Sequence, residues 1–119
     1  MLQDICVLIV EDEPFIALDL AMEVETANGT VIGPAGSVSE AFELLKTARV
    51  QGAILDVHLG DGDVAPIAAH LFGCGVPFLF HCGFGLTPAL KAQYPNASVY
   101  LKPTAPSNLV KALASLMRN

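Results

Sequence analysis

The chain of 119 residues is the size of one domain, which buries roughly two-thirds of its unfolded surface without disulfide or metal staples. Six Lys and Arg against twelve Asp and Glu give a net charge of −6, which excludes a nucleic-acid backbone as direct partner, since that requires a basic patch. The three cysteines, Cys6, Cys74 and Cys82, are odd in number and lack metal-ligand spacing, and no secretory signal precedes the first strand, so free thiols in the cytoplasm are expected.

Cys6-Val7-Leu8-Ile9-Val10 reads as a first strand, apolar throughout as strands covered on both faces are, and it delivers Glu11-Asp12-Glu13 at its C-terminal end. Pro14 can open a helix at its first turn, where a missing N–H costs nothing. From Phe15 to Thr26 the helical spacing sets Asp19, Glu23 and Thr26 outward and Ala17, Leu18, Ala21, Met22 and Val24 inward. Asn28-Gly29 turns the chain into a short strand, Thr30 to Gly33. Ser37 and Glu40 have capping-box spacing and start a helix through Ala48, with Ala41, Leu44, Leu45 and Ala48 inward.

Gly52-Ala53-Ile54-Leu55-Asp56 is another apolar strand ending in an acid. Gly60-Asp61-Gly62-Asp63 lacks the remaining ligands of a Ca²⁺ loop and reads as a turn. A helix from Val64 to Phe72 leads to the apolar run Val76 to Phe80, and Gly83 to Asn96 reads as a loop with a short helix around Pro88 to Gln93. The last strand, Ser98 to Leu101, ends in Lys102-Pro103, and a helix from Ser107 to Arg118 buries Leu109, Val110, Leu113, Leu116 and Met117. Val64 to Leu90 carries no charged residue, but Pro66, Pro77 and Pro88 break any membrane-spanning helix. That stretch reads as an apolar core or as a face for self-association or a partner.

Strands alternating with helices predict a doubly wound α/β fold of flavodoxin-like type: five parallel strands in the order 2-1-3-4-5, about five helices and three layers. The ligand crevice of such sheets lies at the carboxyl ends of the strands beside the first one, where Glu11, Asp12 and Asp56 converge. Clustered carboxylates raise one another's pKa unless a cation is present, and an all-oxygen donor set suits Mg²⁺. A lysine at a neighbouring strand end adds a point charge suited to phosphate. Metal, lysine and an acidic oxygen nucleophile together describe phosphoryl transfer.

Val7 to Pro14, Leu55-Asp56-Val57-His58-Leu59 and Leu101-Lys102-Pro103 together resemble, in order and spacing over the whole chain, the three signatures of a response-regulator receiver domain. The resemblance implies a single receiver domain over 1–119 with no output domain in this chain. Asp56 would be the phospho-acceptor, fed by a histidine kinase or phosphotransfer protein. Asp12, Asp56 and the main-chain carbonyl of His58 would hold Mg²⁺ or Mn²⁺, with Glu11 acting through water. Lys102 would bind the phosphoryl oxygens and Pro103 would position its loop, in a cis bond. The domain would catalyse its own phosphoryl transfer and slow hydrolysis, then signal to a downstream protein or a second copy, or act as a phosphate sink. Two positions depart from the family pattern: Cys82 stands where a Thr or Ser is usual, and Val99 where an aromatic is usual, with Tyr100 one position off and facing the other way. Glu13 and the side chain of His58 read as solvated, and His70 and His81 as packing or surface residues. Two alternatives stand beside this reading: a receiver-like interaction module that is not phosphorylated, and a cobalamin-binding module, suggested by Asp56-Val57-His58-Leu59-Gly60 with its glycine one residue early.

Overall fold

In the computed structural model, which describes residues 1–118, the apolar segments pair into one five-stranded parallel sheet. In chain order the elements are β1 (Cys6–Val10), α1 (Pro14–Thr26), β2 (Thr30–Ala35), α2 (Val38–Thr47), β3 (Gly52–Leu55), β4 (His58–Leu59), β5 (Gly62–Asp63), α3 (Ala65–Gly73), β6 (Phe78–Cys82), α4 (Pro88–Gln93), β7 (Val99–Leu101) and α5 (Pro106–Met117). The large sheet runs β2-β1-β3-β6-β7, which is the expected order once the hairpin β4-β5 is set aside. That hairpin replaces the expected plain turn at Gly60 to Asp63, with His58 opposite Asp63 and Leu59 opposite Gly62.

Side chains alternate along each strand, so the sheet carries two cores. One gathers Leu8, Val10, Leu55, Phe80 and Cys82 under α2, α3 and α4. The other gathers Val7, Ile9, Ile54 and Leu79 under α1 and α5. The helices are set by their caps: the Ser37 hydroxyl accepts from the Glu40 N–H at 3.0 Å, and the Thr87 hydroxyl from the Leu90 N–H at 3.3 Å. α1, α3, α4 and α5 each carry proline in the first turn, where no N–H is needed.

Further expectations change. α1 buries Ala17, Leu20 and Val24, while Leu18 and Met22 are each 56% exposed, so its inward stripe is rotated by the packing of α5 against it. On α2 only Ala41 is fully buried, and Leu44, Leu45 and Ala48 are half-covered. β2 runs on to Ala35 because Gly33, at φ +97°, and Pro34 form a bulge between the Leu8–Ile32 and Val10–Ala35 pairs. A Cβ at Gly33 would meet the Ala35 nitrogen at 2.7 Å, so only glycine fits that turn. The fourth strand is displaced by two residues, to Phe78–Cys82: Pro77 has no N–H to give the ladder, and His81 and Cys82 find partners in Tyr100 and Leu101. Among the described residues, no helix is long and apolar enough to cross a membrane.

Candidate functional site

Strand register builds the site. Val10 pairs with Leu55, and the Asp56 N–H donates to the Val10 carbonyl at 2.8 Å, so the next residues, Glu11 and Asp56, emerge side by side. The bulge in β2 lets the Ala35 carbonyl accept from the Glu11 N–H at 2.8 Å, which holds Glu11 from the other side. Cys82 pairs with Leu101, and the Lys102 N–H donates to the Cys82 carbonyl at 2.8 Å, which fixes Lys102 at the same edge of the sheet.

The side chains then converge. Lys102 Nζ lies 3.0 Å from Glu11 Oε1 and 3.2 Å from Asp56 Oδ2. Backbone adds a second hold on each acid: the Glu13 N–H donates to Glu11 Oε2 at 3.1 Å, the oxygen that also accepts from Lys102 at 3.1 Å, and the Val57 N–H donates to Asp56 Oδ1 at 2.8 Å. Glu11 and Asp56 are buried and Asp12 is exposed, and carboxylate oxygens of all three lie within 4.8 Å of one another. Burial, reinforced by the charge of Asp56, pushes the Glu11 carboxyl up to about 7 against the pull of the Glu13 N–H and Lys102. Burial alone would lower the Lys102 pKa, but hydrogen bonds and charge from Glu11 and Asp56 outweigh it and the net shift is upward.

Three acids with oxygen donors only, one of them open to solvent, fit a hard divalent cation and the waters it retains. Lys102 neutralises part of the cluster, but one cation faces three acids; the raised Glu11 pKa itself comes first from burial, with the Asp56 charge a smaller addition. His58 sits on the β4 hairpin at the rim with its side chain exposed. Pro103 follows Lys102 across a cis peptide bond.

Cys82, at the end of β6, is fully buried; burial pushes its thiol pKa up, partly offset by the Gly85 backbone N–H, so it is a thiol and not a thiolate. Val99 is partly exposed, and Tyr100 packs on the α1–α5 side. His70 is a surface residue whose ring meets Phe42 edge-on at 6.4 Å.

The sequence reading missed the role of Asp61 and left His81 open between packing and surface. Asp61 accepts from the N–H groups of Val38 and Ser39 at 2.9 and 3.1 Å, so it caps α2 and ties the hairpin to that helix. Those bonds lower its carboxyl pKa. His81 is 3% exposed with neither ring nitrogen hydrogen-bonded. Burial, with Lys102 nearby, lowers its pKa. A cap formed across 23 residues of chain leaves no local signal, whereas the packing position of His81 follows from its place between Phe80 and Cys82 in an apolar run.

No family model matches the chain. It is 31% identical over 114 residues to the phyllosphere-induced regulator PhyR of Methylorubrum extorquens, a match covering 93% of this chain and 43% of that protein. The crystal structure of the response regulator PhyR from Brucella abortus matches with TM-score 0.74 at 27% identity, over 94% of this chain and 46% of that one. The chain therefore spans less than half the length of these PhyR proteins. SdrG from Sphingomonas melonis matches end to end: TM-score 0.80 and 31% identity, over 98% of this chain and 99% of that one. Its BeF3-activated conformation gives 0.73 and 34%, over 94% and 95%.

Proposed function

This chain belongs to the response-regulator receiver family, and we propose that it accepts a phosphoryl group on Asp56 from the phosphohistidine of a histidine kinase or phosphotransfer protein. The observation that carries this reading is the Lys102 ammonium held between the buried carboxylates of Glu11 and Asp56 at 3.0 and 3.2 Å. A carboxylate oxygen of Asp56 attacks phosphorus, a P–O bond forms, and the P–N bond to the donor imidazole breaks. The Val57 N–H holds the other Asp56 oxygen and so sets the angle of the nucleophile. Lys102 leaves its carboxylate partners to pair with the incoming phosphoryl oxygens. Asp12 and Asp56, with the His58 carbonyl, would hold Mg²⁺ or Mn²⁺, and Glu11 would act through water; the ion would neutralise charge on the transferred group. That SdrG takes a BeF3-activated conformation supports phosphorylation chemistry on this sheet edge. Output passes by protein–protein contact in the cytoplasm, through a surface on which Phe84 is 94% exposed.

A second reading, an interaction module that is not phosphorylated, draws on Cys82, whose thiol is a weak donor where a hydroxyl would bond the phosphoryl group. Intact-mass measurement after incubation with acetyl phosphate and Mg²⁺ separates the two. Gain of one phosphoryl group, lost in Asp56→Asn, supports the first reading; no gain at saturating donor supports the second.

A further inference from the structure

A cavity of about 310 Å³ lies between α1 and the segment joining β7 to α5. Its apolar walls come from Ile16 and Leu20 of α1 and Leu109 of α5, and its polar lining includes Asp19, His81 and Lys102. His81 alternates along β6 with Phe80 and Cys82, which face the other core, so its ring faces α1 and α5. A neutral imidazole offers one donor and one acceptor, and here both are buried and unpartnered. Buried polar groups in folded proteins are normally satisfied, so an orphan ring at the edge of a cavity points to an occupant.

The lining also specifies what kind. The Lys102 charge is already met by Glu11 and Asp56, and Asp19 adds a further acid, so the cavity has no surplus positive charge for an anion. The apolar walls give water few partners over most of the volume. We propose that this cavity binds a small neutral molecule with an apolar body and a hydroxyl or amide head, the head hydrogen-bonded by His81 and the body packed on Ile16, Leu20 and Leu109. Because Lys102 lines both the cavity and the acidic cluster, occupancy reaches Asp56; that consequence rests on the phosphorylation reading, whereas binding does not.

The test titrates unphosphorylated, metal-free protein with hexan-1-ol, hexanoate and hexylamine, reading the His81 ring ¹⁵N shifts and the amides of Ile16, Leu20 and Leu109. Saturable shifts with hexan-1-ol, and roughly tenfold weaker binding of it to His81→Leu, are expected from loss of one buried hydrogen bond. Hexanoate and hexylamine should bind more weakly than the alcohol. No saturable shift with any probe, tightest binding of hexanoate or hexylamine, or undiminished alcohol binding by His81→Leu would overturn the proposal. A peptide helix that shifts these amides while hexan-1-ol does not would overturn it too, in favour of a protein partner on α1.

Discussion

Glu11 makes the stability of the metal-free protein fall as pH rises through the weakly acidic range. Its carboxyl is displaced from 4.5 to about 7, because burial disfavours the charged form and Asp56 adds repulsion. For an acid whose folded pKa lies above its unfolded value, the folded state holds a proton that the unfolded state has released between the two. That favours folding at low pH, and the advantage is lost as pH rises from 4.5 toward 7. The displacement corresponds to about 3 kcal/mol, or roughly 10 °C in Tm for a domain of this size. His81 works in the opposite direction: its lowered pKa costs stability as pH falls below 6.5. Glu11 is therefore isolated by difference. Thermal unfolding by circular dichroism, in chelator and at pH 5, 6, 7 and 8, should show Glu11→Gln gaining on the parent as pH rises, by up to that amount. Mg²⁺ should shrink the gain above pH 7, where it binds the ionised cluster. A Tm difference independent of pH between 5 and 8 would refute the reasoning.

Three further outcomes are expected. His81→Leu should stabilise the free protein by about 1–3 kcal/mol, since it removes buried polar atoms without partners; urea unfolding measures this, and a loss of stability would mean the ring is satisfied. Asp61→Ala should lower the urea midpoint and speed hydrogen exchange at Val38 and Ser39, whose N–H groups lose their acceptor; unchanged exchange at both would discount the tie. Cys82→Thr, loaded with beryllofluoride and Mg²⁺, should show larger amide shifts over Val99 to Lys102 than the parent, because a hydroxyl bonds the phosphoryl analogue better than a thiol; equal shifts would show that Cys82 does not weaken the coupling.

The sheet order and the acidic edge were legible because strand segments alternate with helical ones, and because β1 and β3 are apolar runs covered on both faces that end in acids, while β7 ends at Lys102. Asp56 and Lys102 could be placed without coordinates: a parallel strand must deliver the residue after it to the rim. What stayed hidden depends on contacts between distant segments. The orientation of α1 was one such case, since its near-uniform apolar content lets Leu18 and Leu20 compete for the inward face until α5 docks. The length of β6 was another: Pro77 pushes pairing toward Cys82, and that carries His81 into the core. The direct Lys102–Glu11 pair was not anticipated either, because it depends on the β2 bulge that holds Glu11 in place.

The central claim is that Asp56 is the acceptor, and trapping the acyl phosphate tests it most directly. Protein treated with acetyl phosphate and Mg²⁺ is reduced with borohydride, which converts a phosphorylated aspartate to homoserine, then digested and sequenced by tandem mass spectrometry. Homoserine at position 56 is expected, absent when chelator replaces Mg²⁺ and sharply reduced in Lys102→Met. Homoserine at position 12 instead, or none at 56 under saturating donor, would contradict the account.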